Sequence, residues 1–271
     1  MPRPSPGLCS FAIIIAASAA LSVLASVPGL GAELVSHQAV YDIRLGKSRS
    51  GGGVIDARGL STIELRRDCE GWIVVQRMST ELGLSNDRSM QQVLEYSSWE
   101  SLDGKSLQFV FRSRTNEETE VISGDASQGD PGEVRFREPA TKSLRLLGGS
   151  VFPLAHTIEL IDRAVAGERL VNRQVFDGTE DKAPPNVSAF IGVPKKAGDH
   201  PYGKIGALAN RPGWSIRMAY HDAGSSAPEP NFEVSLLQLD NGVAPYVVLD
   251  YQDFSLILEL RRIEAVAPST C

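Results

Sequence analysis

A chain of 271 residues, 42% of them hydrophobic and with 27 basic against 33 acidic side chains, can bury a sizeable core and carries a formal charge of −6. That acidic balance excludes broad electrostatic capture of nucleic acid or of anionic lipid. Neither G-x-S-x-G, H-E-x-x-H, a glycine-rich phosphate loop nor a paired-cysteine zinc spacing occurs, which argues against an enzyme built on a familiar motif and calls for no metal or cofactor.

The chain opens Met1-Pro2-Arg3, runs apolar from Phe11 to Leu24 and closes on small residues and a turn, Ser26-Val27-Pro28-Gly29-Leu30-Gly31-Ala32. A positive start, an apolar run and a small-residue end spell a cleavable export signal, expected to be removed after Ala32. Pro28 and Gly29 break the run short of the ~20 apolar residues that a membrane anchor needs. Cys9 precedes the run, whereas a lipoprotein cysteine follows it. Removal of residues 1–32 takes away one charged side chain, Arg3, and leaves 26 basic against 33 acidic. Residues 33–271 are expected to form a single domain in the periplasm.

Two cysteines then remain, Cys69 and Cys271. In an oxidising compartment a bridge between them is expected, closing a loop of roughly 200 residues and contributing about 5 kcal/mol in the loop-entropy model. Free thiols, or pairing of a terminal Cys271 between molecules, are the alternatives.

Period-2 alternation dominates the rest of the chain. His37 to Leu45 sets Ala39, Tyr41, Ile43 and Leu45 on one face against Gln38, Asp42 and Arg44. The same pattern predicts strands over 59–66, 72–80, 90–98, 107–114, 119–123 and 132–137, separated by breakers such as Gly51-Gly52-Gly53, Asp103-Gly104 and Asp130-Pro131-Gly132. One segment, Phe152 to Ala166, predicts a helix, with Pro153 near its start and Gly167 just past its end. Its expected apolar stripe is Leu154, Ile158, Ile161 and Val165, a candidate lid or plug for a concave sheet face. Strands resume over 168–176, 187–191, 214–220, 232–239, 243–251 and 256–263, with Asp240-Asn241-Gly242 as a hairpin signal. Residues 193–212 predict a loop with at most one weak strand. About a dozen strands favour a curled or split antiparallel sheet over a flat one. Charges interrupting the strand faces, and the terminal Pro268-Ser269-Thr270-Cys271, argue against an outer-membrane barrel.

The candidate sites are few. His156, Glu159 and Asp162 stand three apart on the expected helix, a spacing for metal ligation or proton transfer, although a solvated helix face fits equally. Asp177, Glu180 and Asp181 follow a strand but miss the spacing of a calcium loop, which points to a turn with solvated acids. Arg66-Arg67 and Arg261-Arg262 would form a basic patch once the cysteines joined. His37, His200 and His221 are scattered on a strand start, a loop and a strand end.

The run His37-Gln38-Ala39-Val40-Tyr41-Asp42-Ile43-Arg44-Leu45, the turn Asp68-Cys69-Glu70-Gly71-Trp72, the helix start Phe152-Pro153-Leu154-Ala155-His156-Thr157, the turn Phe176-Asp177-Gly178-Thr179-Glu180 and the near-terminal Cys271 together resemble the EipB family of periplasmic cell-envelope integrity proteins. The resemblance covers essentially the whole of residues 33–271. It implies a mainly β fold: a long antiparallel meander forming an open half-barrel, or β-spiral, with one helix near the concave face, similar to lipoprotein carriers. It further implies a disulfide joining the early strand region to the C-terminus, a role for Cys69 and Cys271 alone, and no enzymatic activity. The implied partner is an envelope protein bearing tetratricopeptide repeats, and lipid or acyl chains are the implied alternative ligand. Leu154 stands where the family's helix start calls for a polar residue. On the strand order, the cysteines are expected to clasp the two ends of the sheet.

Overall fold

A computed structural model describes residues 31–49 and 53–271. The expected export signal lies outside the described residues except for Gly31 and Ala32. Fourteen strands form one antiparallel sheet. In chain order they are β1 (His37–Ser48), β2 (Val54–Arg67), β3 (Gly71–Leu84), β4 (Ser89–Ser101), β5 (Ser106–Thr115), β6 (Glu118–Ser127), β7 (Gly132–Glu138), β8 (Lys142–Leu146), then helix α1 (Pro153–Val165), β9 (Leu170–Gln174), β10 (Asn186–Lys195), β11 (Gly213–His221), β12 (Phe232–Leu239), β13 (Tyr246–Asp250) and β14 (Phe254–Ala265).

The sheet order runs β8 back to β1, then β14 back to β9. Two meanders are therefore joined at a seam, where β1 pairs with β14 from His37–Ala265 to Ser48–Phe254. β8 and β9 are the free edges, and the sheet curls without closing into a barrel. A single parallel bridge, Val151 to Val175, links the segments beside those edges.

The alternation predicted for the first strand holds: Ala39, Tyr41 and Ile43 are buried, and Gln38, Asp42 and Arg44 are exposed. Of the fourteen strands only β8 has no counterpart among the predicted segments. β8 carries only one fully buried residue, Leu146, in the sequence Lys-Ser-Leu-Arg-Leu, so it is too short and too polar to signal itself. Of residues 193–212, read as loop, the first three continue β10 to Lys195 and the rest contains two 3₁₀ turns, Pro201–Lys204 and Ala207–Ala209. Tyr202, Ile205 and Leu208 from these turns pack against the cluster containing Leu237, Leu239 and Ile263.

Three apolar clusters fill the interior. The first sits beneath α1 and joins Leu160, Ile161 and Ala164 to Leu65, Trp72, Val187, Ile216 and other sheet residues. The third packs Phe109, Phe136 and Phe176 edge to face, with centroids 5.3–6.2 Å apart. Phe152, the residue before α1, is fully buried in this third cluster and anchors the start of the helix.

The helix stripe is rotated from its expected position. Leu160, Ile161, Ala164 and His156 form the buried face; Leu154 and Ile158 are half-buried, and Val165 is 70% exposed. The helix has turned by about one residue step, roughly 100°, toward Leu160 and Ala164. A histidine at one edge of the true stripe concealed it. Val165→Lys is accordingly expected to leave the melting temperature unchanged within the effect of about 0.5 kcal/mol typical of a surface change, whereas a core-facing Val165 would make it costly; a thermal melt decides.

The sulfurs of Cys69 and Cys271 are bonded, with Cα atoms 5.6 Å apart and 202 residues of separation. The position of the bond corrects the expected clasp. Cys69 lies in the turn between β2 and β3, and Cys271 ends the tail after β14, both close to the seam and far from edges β8 and β9. The tail is also held by Val266 N–H donating to the Ser36 carbonyl (3.1 Å) and Ser269 N–H to the Arg67 carbonyl (2.9 Å).

Candidate functional site: a plugged concave face

Helix α1 begins without a capping side chain of its own: Phe152 occupies the cap position and Pro153 has no N–H to offer. The missing acceptor comes from the sheet. Glu100, near the end of β4, accepts the N–H of Leu154 (2.9 Å) on one oxygen and that of Ala155 (2.7 Å) on the other. Glu100 is 2% exposed. Burial pushes its carboxyl up to about 7, against the opposing pull of these two N–H donors. A sheet carboxylate thus latches the helix onto the concave face.

Beneath the start of the helix lie two modest cavities, apart from a pocket of about 340 Å³ that Glu100 itself lines with Leu154, Ala155 and Ile158. One, of about 270 Å³, is lined by Tyr41, Leu65, Val74, Gln238 and, from the helix, Leu154 and Thr157. The other, of about 280 Å³, is lined by Met78, Leu94, Phe111, Asp177 and Tyr251. They share Gln76, Tyr96 and Pro153 as a common wall. Tyr96 is fixed there by donating its hydroxyl to the Asp177 carbonyl (2.8 Å).

The helix triad does not converge. His156 is 4% exposed, its Nε2 lacks a partner, and burial brings its pKa down to about 4. Glu159 is taken by Arg173, whose Nε donates at 2.8 Å, and by Arg163. Asp162 accepts the N–H of Ala32 at 2.8 Å. Three roles in packing and pairing thus replace one shared face, and among the described residues no group of three His, Cys, Asp or Glu lies close enough to hold a metal.

The other candidates are likewise absorbed. Asp177 accepts the N–H (2.9 Å) and hydroxyl (2.8 Å) of Thr179, closing a turn, while Asp181 pairs with Lys142 and Glu180 with Lys182. The basic patch is dispersed: Arg66 faces Glu64, Arg261 faces Asp42, Arg262 faces Glu264, and Arg67 lies 5.2 Å from the Trp72 ring centroid. His37 turns its Nδ1 to the Val35 carbonyl (2.8 Å), and His221 ends β11. Sequence inspection missed Glu100, since a lone glutamate ending a strand has no periodic mark; only the folded position of α1 gives it a role.

Among the described residues an open antiparallel half-barrel whose concave face is plugged by a single helix defines the class: β-barrel-like proteins. The chain belongs to the EipB-like family, whose model matches residues 30–267. It is 26% identical over 236 residues to the cell envelope integrity protein EipB of Brucella abortus (strain 2308), a match covering 85% of this chain and 84% of that protein. Its fold superimposes on the crystal structure of a β-barrel-like protein of the DUF1849 domain family from Brucella abortus with a TM-score of 0.81 and 25% identity, covering 87% of this chain and 99% of that one. By this homology it is a cell envelope integrity protein.

Proposed function

We propose that the protein acts in the periplasm as a non-enzymatic factor that sustains outer-membrane integrity by binding an envelope protein, with a tetratricopeptide-repeat lipoprotein as the expected partner. The observation that supports this reading is the free edge at β9. Among the described residues only its C-terminal end is covered, where Val151 N–H donates to the Gln174 carbonyl (2.8 Å). Natural sheets guard such edges, and here apolar side chains stand exposed instead: Leu170 opposite Phe190, Val193 beyond them, and Val165 at the close of α1. An edge of this kind accepts an added strand or an apolar surface.

A photo-crosslinking residue placed at the exposed Val165 in living cells is expected to trap an envelope protein, and Leu170→Lys with Val193→Lys to abolish the adduct while leaving the melting temperature unchanged. Adducts confined to abundant soluble proteins, or unaffected by the lysines, would sink the proposal.

The second reading, a carrier of lipid or of lipoprotein acyl chains, draws support from the two cavities beneath the helix. Each falls just short of the roughly 300–1,000 Å³ of an ordinary ligand pocket, so a chain would enter only with α1 displaced from Glu100. Native mass spectrometry of protein taken from the periplasm tests it, and a ligand-free spectrum that acyl chains leave unchanged removes it.

A further inference from the structure

On the opposite, convex side of the second meander lies a groove of about 540 Å³ between the outer faces of β10 to β13 and the 3₁₀ turn Pro201–Lys204. Its floor is laid by the strand register: Phe190 opposite Arg217 opposite Ser235, and in the next row Ser215 opposite Leu237 opposite Tyr246. Its wall is a chain of three rings. The centroids of His200 and Tyr202 are 6.2 Å apart with planes 32° from parallel, and those of Tyr202 and Tyr246 are 6.2 Å apart and 28° from parallel.

These rings are held from behind. Tyr202 donates its hydroxyl to Glu259 (3.3 Å), which also pairs with Arg44 (3.2 Å). His200 is 8% exposed, and its Nε2 bonds the Arg211 carbonyl at 3.0 Å. A carbonyl only accepts, so the hydrogen sits on Nε2, and Nδ1 is left as a buried acceptor without a partner. His200 lines the groove, so a bound molecule could supply the donor that its buried Nδ1 lacks among the described residues.

We propose that this groove binds a neutral glycan, with pyranose rings packed along Tyr202 and Tyr246 and a sugar hydroxyl or amide donating to His200 Nδ1. The near-parallel rings favour this class: the polarised C–H groups of a sugar face lie on the electron-rich face of an aromatic ring, whereas a quaternary ammonium needs rings enclosing it. The charges agree. Arg217 is paired in two places with Glu233 (3.1 and 2.6 Å), and the groove's other two charged side chains, Lys195 and Asp199, are opposite in sign, leaving no cationic excess to draw an anion.

Isothermal titration and saturation-transfer NMR with tetra-N-acetylchitotetraose and maltotetraose test the assignment, with inorganic phosphate as the anionic probe. At least one oligosaccharide is expected to bind, and Tyr202→Ala and Tyr246→Ala each to weaken it about tenfold, with Lys195→Ala without effect. Ser215→Trp fills the exposed floor of the groove without disturbing the core and is expected to abolish binding even if a tyrosine variant fails to fold. The proposal is overturned if neither sugar binds at concentrations up to about 10 mM, if binding survives Ser215→Trp, or if only phosphate binds and Lys195→Ala removes it.

Discussion

Cys69→Ser and Cys271→Ser are each expected to lower the melting temperature, and by the same amount. The loop-entropy model gives an upper figure of about 5 kcal/mol for a closed loop of this length, which for a chain of this size corresponds to a fall of about 10–20 °C. Because both changes remove one bond, the double variant should be no worse than either single one. The loss has a location. Cut free, the tail keeps only the hydrogen bonds of Val266 and Ser269, so fraying begins at the β1–β14 seam and leaves edges β8 and β9 as they were. Thermal melts with the remaining thiol alkylated, together with hydrogen exchange along β14, check both statements. Unchanged melting in all three variants would mean that those two hydrogen bonds suffice.

The second large effect concerns pH. Two buried groups, Glu100 on the sheet and His156 on the helix, oppose one another. The folded state holds a proton on Glu100 up to about 7, well above the carboxyl's ordinary 4.5, so it binds that proton more tightly than the unfolded chain does. Stability from this group is present below 4.5 and lost as pH rises through 7, by about 3 kcal/mol. His156 is held neutral down to about 4, against an ordinary 6.5. Its contribution is complete above 6.5 and lost as pH falls through 4, again by about 3 kcal/mol. In the native protein the slopes cancel across much of pH 4.5–6.5. Glu100→Gln keeps one acceptor for the helix and removes the carboxylate, so stability should now rise steeply with pH. His156→Asn should do the reverse, leaving a protein that weakens as pH rises. Denaturant titrations at half-unit pH steps read both. Parallel profiles for the two variants would show that neither group titrates as its burial requires.

The sheet was legible wherever one side of a strand meets the core. In β1, β3 and β14 buried and exposed residues alternate through much of the strand, and in β1, where the faces were assigned from sequence, Ala39, Tyr41 and Ile43 are on the buried one. β8 escaped because five residues with one buried side chain leave no period to find. The helix was placed correctly in sequence but turned wrongly about its axis, since hydropathy ranks His156 as surface and Val165 as core, while packing made the opposite choice. The latch and the convex groove escaped for a shared reason. Glu100 meets α1 across more than fifty residues, and Tyr202 meets Tyr246 across more than forty, separations at which local pattern carries no information.

The seam bears on how the molecule comes into being. Each meander can zip up from neighbouring hairpins, but the line between them joins the first strand to the last, and no local turn prepares it. A chain emerging amino end first must therefore keep the edge of β1, with Ala39, Tyr41 and Ile43 on its buried face, unmated until β14 arrives. Loss of β14 would not shorten the sheet at its rim. It would divide it in two, baring β1 and β13 together in the middle of the molecule.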